Sequence, residues 1–447
     1  MGKYFGTDGM RGEANVDLTV WHAFKTGRFL GDFYKSNRPA KIVIGKDTRR
    51  SGYMLEDALC AGITASGSDA YLLHVTTTPS VSYIARCEDF DCGVMISASH
   101  NPYYDNGIKL INKKGEKMED EVIKRVEAYL DEELEKIPLA TRENIGRTVD
   151  WAGGRNRYIA YVISLAKHSY KGIRVGIDSS NGSTWMMGKS IFDTLGAKTF
   201  VTGNSPDGLN INLNCGSTHI ENLKSLVLEN KLDIGFAFDG DGDRCLAVDN
   251  SGNVITGDHI LYIMGCYMKA NEKLSDNTIV ATLMSNYGLG KALENKGISL
   301  KITDVGDKFV YDEMKRGGYS LGGEESGHII FSKYGSTGDG LITAVKIMET
   351  LIESKLPSDK LYDGFKLYPQ ITKNVKVADK DAVLSDTDIL NKVEGIRKEI
   401  KNKGRIILRK SGTEPVIRVM AEGEREEKCL SYVDEIIDLM RKKGYTE

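Results

Sequence analysis

Short apolar runs recur along the chain, and between them apolar residues return at every third or fourth position. The first run is Lys41-Ile-Val-Ile-Gly45, and the spacing after it predicts a helix over 50–65. Ala70–His74 and Cys92-Gly-Val-Met-Ile96 read as further strands, the second buried on both faces because it does not alternate. A charged helix over 119–135 follows, and the polar, glycine-containing stretch 141–156 reads as a linker. The rhythm resumes at Ile173–Asp178 and Ile234-Gly-Phe-Ala-Phe238, then again from His259 through Thr278–Thr282 to a helix over 340–353. Alternation of this kind predicts α/β domains with mixed or largely parallel sheets. The last part differs, with an alternating strand at Thr372–Val377, a helix over 388–403, a strand at Arg405–Leu408 and a C-terminal helix. These predict a compact α+β domain. In its final helix Leu430, Val433, Ile437 and Met440 recur at helical spacing and mark a buried face.

At 447 residues the chain is longer than one hydrophobic core sustains. The breaks in pattern divide it at residues 1–150, 151–255, 256–368 and 369–447. A formal net charge of −3 gives no global basic field for nucleic acid, so an anionic ligand needs local cations. Seven dispersed cysteines without a CxxC pair read as reduced thiols of a cytoplasmic protein. The N-terminus lacks a signal-peptide pattern, and no apolar run approaches the ~20 residues that span a bilayer, so no membrane partner is expected.

Four polar clusters follow apolar strands, where α/β proteins place their sites. In Ile96-Ser-Ala-Ser-His-Asn-Pro102 a buried strand ends in two hydroxyls and a histidine. By itself this also suits a polar strand-to-turn cap. Asp239-Gly-Asp-Gly-Asp-Arg244 puts carboxylates at every second position, on one side of an extended chain. With glycines between them the three can meet one cation, and an all-oxygen site suits Mg²⁺ beside a phosphate. A Ca²⁺ EF-hand loop fails here, because Arg244 stands where its turn glycine belongs and Asn250 where its glutamate belongs. Leu321-Gly-Gly-Glu-Glu-Ser-Gly-His328 pairs Glu324 and Glu325 with Ser326 and His328, a set able to read sugar hydroxyls and relay a proton, or a plain surface loop. Arg409-Lys-Ser-Gly-Thr-Glu-Pro415, with Arg418 beyond it, offers cations, two hydroxyls and a glycine for a phosphate. A fifth element is Phe5-Gly-Thr-Asp-Gly-Met-Arg-Gly12, whose Arg11 can also reach a phosphate. Together these are the parts of a metal-assisted phosphoryl shuttle.

Taken in order, Ser97–Pro102, Asp239–Arg244, Gly323–His328 and Arg409–Pro415 resemble the signature motifs of the α-D-phosphohexomutases. The resemblance runs essentially end to end. Phe5–Asn15, Gly208–His219 and Met284–Asn286 are further similar to the branch that acts on glucosamine phosphates. The chain departs from that branch at Glu325, where glutamine is usual, and at Ile220, where proline is common.

The resemblance implies three α/β mixed-sheet domains plus a C-terminal α+β domain around a central cleft. It implies that Ser99 becomes phosphoserine and that one Mg²⁺ per chain is bound by Asp239, Asp241, Asp243 and the phosphoserine oxygen. The implied reaction is reversible conversion of glucosamine 6-phosphate to glucosamine 1-phosphate through glucosamine 1,6-bisphosphate, feeding UDP-N-acetylglucosamine synthesis. In that reading Lys109 and Arg11 stabilise the transferring group, and His100 or His328 handles protons. Arg244, Glu324, Glu325, Ser326, Arg409, Ser411, Gly412, Thr413 and Arg418 bind the phosphorylated hexosamine. A phosphomannomutase or phosphoglucomutase with the same machinery, a phosphatase, and a non-catalytic phosphosugar sensor are the alternatives, and a homodimer is left open. An intact Ser99 and a complete acidic triad argue against the sensor.

Overall fold

The computed structural model describes residues 2–134, 136–401, 403–410 and 416–446. They form two compact units, Met1–Met284 with Leu300–Asp363, and Ser285–Ser299 with Gly364–Glu447. The first unit holds three sheets, and the longest has seven strands. Its spatial order is Phe5–Gly6, Gly9–Glu13, Asp105–Asn112, Cys92–Ile96, Lys41–Lys46, Asp69–Val75 and Thr148–Asp150. Pairing is parallel from Cys92–Ile96 to Thr148–Asp150 and antiparallel across the rest. Cys92–Ile96 is buried throughout, and Lys41–Lys46 all but its first residue, which is why both read as unbroken apolar runs.

In the second sheet Arg174–Asp178 lies between Lys198–Thr202 and Ile234–Phe238, parallel to both. Cys245–Asp249 and Val254–Ile255 continue it antiparallel. The third runs Ser299–Thr303, Thr278–Thr282, Leu321–Gly323 and Ile329–Phe331. Loops carrying Ser99, Asp239 and Glu324 thus each leave the C-terminal end of an inner strand, where open α/β sheets bind ligands.

In the second unit an antiparallel sheet ordered Gln370–Lys376, Val416–Gly423, Gly404–Lys410 packs on Lys380–Ser385, Thr387–Glu399 and Glu426–Lys442. Its core includes Val383, Val393, Ile417, Val433 and Ile436.

Three sequence expectations are corrected. The stretch 141–156 is not a linker, since Thr148–Asp150 is a strand beside Asp69–Val75 and a helix begins at Ala152. Three residues with two exposed carry no readable period. The helix expected over 119–135 stops at Leu130: Asp131, Glu132 and Glu133 follow it with nothing to bury, Leu134 is 38% exposed, and residue 135 lies outside the described residues. In the last helix Leu430 is 41% exposed, and Cys429, Tyr432 and Ile436 join Val433, Ile437 and Met440 on the buried face.

Candidate active site

Ser99 sits three residues beyond the strand Cys92–Ile96, with a left-handed φ of +50° and 2% exposure. A serine in that conformation costs on the order of 1–3 kcal/mol, so its surroundings must hold it there. The Ser97 hydroxyl accepts the Ser99 N–H at 2.9 Å and donates to Asp47 at 2.6 Å. Arg49, wholly buried, pairs with Asp47 at 2.8 Å and donates to the carbonyls of Ser99, Asn101 and Asp105 at 2.9–3.0 Å, and to that of Pro102. From the second sheet's domain, Asn212 donates to the Ser99 carbonyl at 2.8 Å and that of Asn101 at 3.1 Å. The loop is therefore fixed through its carbonyls, leaving the hydroxyl to turn inward.

That hydroxyl donates to Asp239 Oδ2 at 2.5 Å and lies 3.3 Å from His100 Nδ1. Asp239, Asp241 and Asp243 converge with ligand oxygens within 4.8 Å of one another. The two glycines between them act differently. Gly242 adopts φ +72° and turns the chain, whereas a Cβ on Gly240 would lie 2.4 Å from the Ser99 carbonyl oxygen. Burial, then repulsion from the neighbouring carboxylates, pushes Asp239 and Asp243 above the ordinary carboxylate range. Burial would raise Asp241 too, but the Lys109 ammonium at 2.7 Å outweighs it and holds Asp241 low. Oδ1 of Asp241 and of Asp243 is buried with no hydrogen-bond partner among the described residues. Three buried carboxylates, two of them with an unfilled oxygen, fit a hard divalent cation such as Mg²⁺.

Around the cluster lie the cations. Lys109 faces Asp241, Asp8 at 3.3 Å and Asp243 at 3.6 Å, which outweigh its burial and keep it charged. Arg11 pairs with Asp8. Lys117 bridges Asp8 at 3.3 Å and Asp307 at 2.7 Å. The Arg244 N–H donates to Asp239 at 3.1 Å. Burial, reinforced by Arg244 and Arg11, lowers His100 to about 4, so its imidazole is neutral at pH 7. His328 Nε2 accepts the Gly338 N–H at 3.1 Å and lies 3.7 Å from Asp307.

The 323–328 turn is tied to the metal-loop strand, because the Cys245 N–H donates to the Gly327 carbonyl at 3.0 Å. Glu324 is half-buried and its carboxyl is raised by burial, Ser326 is half-buried, and Glu325 is exposed. A cavity of about 920 Å³ is lined in part by Asp8, Lys109, Lys117, Asp243, Asp307 and Thr337. In the second unit Arg409 and Arg418 stand directly opposite each other on paired strands, and burial plus the Arg418 charge lower Arg409. Like charges in register repel, so this pair suits an anion. Ser411, Gly412 and Thr413 lie outside the described residues.

Asp47, Arg49 and Asn212 were not singled out from the sequence. Asp47-Thr-Arg49 carried a usable signal, being a polar cluster directly after an apolar strand. Asn212 lay inside the quoted stretch Gly208–His219, but nothing local marks which of its asparagines works, because its use depends on the neighbouring domain.

A serine bonded into a buried acidic triad, with a lysine and arginines around it, defines a phosphoryl-transfer enzyme. Four sequence models describing phosphoglucomutase/phosphomannomutase match in order: α/β/α domain I at residues 2–136, α/β/α domain II at 156–252, α/β/α domain III at 256–368, and the C-terminal domain at 373–439. The chain belongs to this phosphohexomutase family, and it is an intramolecular phosphotransferase. It is 62% identical to a phosphoglucosamine mutase of Lachnospira eligens over the full length of both chains. A protein of the same name from Lachnoclostridium phytofermentans is 56% identical over 100% of this chain and 99% of its own. A phosphoglucomutase/phosphomannomutase family protein of Burkholderia thailandensis shares the fold at a TM-score of 0.82 and 22% identity, covering 99% of this chain and 98% of that one.

Proposed function

We propose that the enzyme interconverts glucosamine 6-phosphate and glucosamine 1-phosphate through phosphorylated Ser99. The observation that carries the chemistry is the Ser99 hydroxyl held 2.5 Å from Asp239 inside the triad. The full-length identity to phosphoglucosamine mutases supports the sugar.

In the first half-reaction the O1 hydroxyl of the 6-phosphate attacks the phosphoserine phosphorus. The P–Oγ bond breaks, O1 gives up its proton, and Ser99 Oγ ends as a hydroxyl. The resulting 1,6-bisphosphate turns over. Ser99 Oγ then attacks the 6-phosphoryl phosphorus, the P–O6 bond breaks and O6 takes a proton. Phosphoserine is restored and no water is consumed. The Ser99 hydroxyl proton faces Asp239 Oδ2 at 2.5 Å, and His100 Nδ1, 3.3 Å from Oγ, is the histidine assigned to help move it. Lys109 and Arg11 place positive charge where the phosphoryl passes.

Asp239, Asp241 and Asp243 would hold one Mg²⁺, which when bound neutralises charge on the transferring group. Arg409, Ser411, Gly412, Thr413 and Arg418 are assigned the phosphate that is not reacting. His328 bonds a backbone amide through Nε2, so its assigned part is to hold the turn that carries Glu324 and Ser326 toward the sugar. Reduced thiols suit work in the cytoplasm, and none of the seven cysteines is in a disulfide.

The deciding experiment assays the purified enzyme with Mg²⁺ against glucosamine, glucose and mannose 6-phosphates. The expected kcat/KM for glucosamine 6-phosphate is at least about tenfold above the others, ~1.4 kcal/mol in transition-state binding. A higher value for glucose or mannose would overturn the sugar while leaving the phosphoryl chemistry. Phosphate release without isomerisation would make it a phosphatase.

A further inference from the structure

We infer that Asn212 is a positioning residue for Ser99, supplied by the second sheet's domain to hold the nucleophile of the first in register with Asp239. The inference rests on the phosphoserine reading above.

Asn212 is 7% exposed and has a left-handed φ of +58°. Its backbone N–H donates to the Ser180 carbonyl at 2.8 Å. The segment around it is fastened on two sides. Buried Asp178, at the end of the strand Arg174–Asp178, accepts the N–H groups of Ser180 and Gly216 at 2.9 Å. On the other side the Gly208 carbonyl accepts the Arg50 N–H at 3.0 Å, and Thr48 donates to the Asn181 carbonyl at 2.6 Å. Asn212 is thus delivered to a fixed point between two domains.

At that point its amide donates to the carbonyls of Ser99 and Asn101, which also accept from Arg49. A carbonyl oxygen has two lone pairs, so at both residues one bond comes from within the domain and one from across it. Behind the Ser99 carbonyl stands Gly240, where a Cβ would meet that oxygen at 2.4 Å and Asn212 Nδ2 at 3.0 Å. Asn212 therefore fixes the serine loop against the backbone of the Asp239–Asp243 loop. Both half-reactions require Oγ to face the same point. A loosened loop should slow transfer and leave binding of the sugar phosphate nearly unchanged.

The test uses full-length Asn212→Asp, which sets a carboxylate against two carbonyls at constant volume, and Asn212→Ala, which removes the amide. Rates are referred to the folded fraction, measured by near-UV circular dichroism. Each variant should lose about 10–100-fold in kcat, as misplacement by about 1 Å does, with KM for glucosamine 6-phosphate within about threefold. Phosphorylation of Ser99 by glucose 1,6-bisphosphate, followed by quenching and intact mass, should slow in parallel. If the folded variants match wild type in kcat and in Ser99 phosphorylation, or lose activity only in proportion to unfolding, the inference is overturned. Wild type is run alongside. If wild-type Ser99 takes up no phosphate, the phosphoserine reading itself falls, whatever the variants do.

Discussion

Arg49→Met removes the guanidinium that ties the serine loop to its domain while keeping most of the aliphatic stem. Arg49 and Asp47 are both wholly buried and paired at 2.8 Å. After the substitution Asp47 retains the Ser97 hydroxyl and the residue-49 N–H, at 2.6 and 2.9 Å, but no counter-charge. Removing one partner of a buried pair costs about 3–5 kcal/mol. For a domain of this size each kcal/mol lowers the melting temperature by about 2–4 °C, so the first thermal transition should fall by roughly 6–20 °C. Burial already pushes the Asp47 carboxyl upward against the pull of Arg49. An acid raised in the folded state takes up protons on folding, so the variant's deficit should shrink as pH falls and Asp47 is neutralised. Adding Asp47→Asn removes the stranded charge, so the double variant should cost less than the two single changes summed, by at least about 1 kcal/mol. Arg49→Lys should fall between, because one ammonium cannot reproduce a fork that serves several carbonyls. Calorimetry at pH 5 and pH 8 with kcat on each variant checks all of this. A loss below about 1 kcal/mol in Arg49→Met, or strict additivity in the double variant, would refute the reasoning.

Asp241→Asn should lower kcat by orders of magnitude and weaken Mg²⁺ binding in calorimetric titration, and EDTA should inactivate the wild type until Mg²⁺ is restored. An enzyme indifferent to chelation would defeat the metal assignment. Arg418→Ala should mainly raise KM, by about 10–100-fold for a lost charge-assisted contact of about 1.5–3 kcal/mol, and an unchanged KM would put the second phosphate elsewhere. Glu325→Gln should leave activity on glucosamine 6-phosphate within about threefold, since Glu325 is exposed while Glu324 is the half-buried carboxylate of the pair. A larger loss in steady-state kinetics would assign Glu325 a direct contact.

The parts of this molecule that could be read from its sequence are those where local pattern and final environment agree. Lys41–Lys46, Cys92–Ile96 and Ile234–Phe238 are inner strands buried almost throughout, so each reads as an apolar run whatever surrounds it. The polar clusters after the last two were visible for the same reason, and folding brings Ser99 and Asp239 together from 140 residues apart. Thr148–Asp150 was missed because a short edge strand with a polar face resembles a loop. Leu430 was misplaced because helical spacing fixes a stripe without saying which neighbouring stripe meets the core. Asp8 lay in a quoted motif beside its partner Arg11, yet its work of joining Lys109 and Lys117 depends on partners more than a hundred residues away. Asn212 is the extreme case, since its side-chain partners belong to another domain.

The central claim is that Ser99 carries the phosphoryl group, and one measurement reaches it directly. Wild type and Ser99→Ala are incubated with Mg²⁺, a catalytic amount of glucose 1,6-bisphosphate and glucosamine 6-phosphate. Formation of the 1-phosphate is followed by phosphorus NMR, and the protein is quenched during turnover for peptide mass analysis. The expected result is a phosphate on Ser99 in the turning-over wild type, and no isomerisation by a Ser99→Ala variant with unchanged melting. Near-wild-type kcat in Ser99→Ala, or turnover with no phosphate on Ser99, would contradict the account.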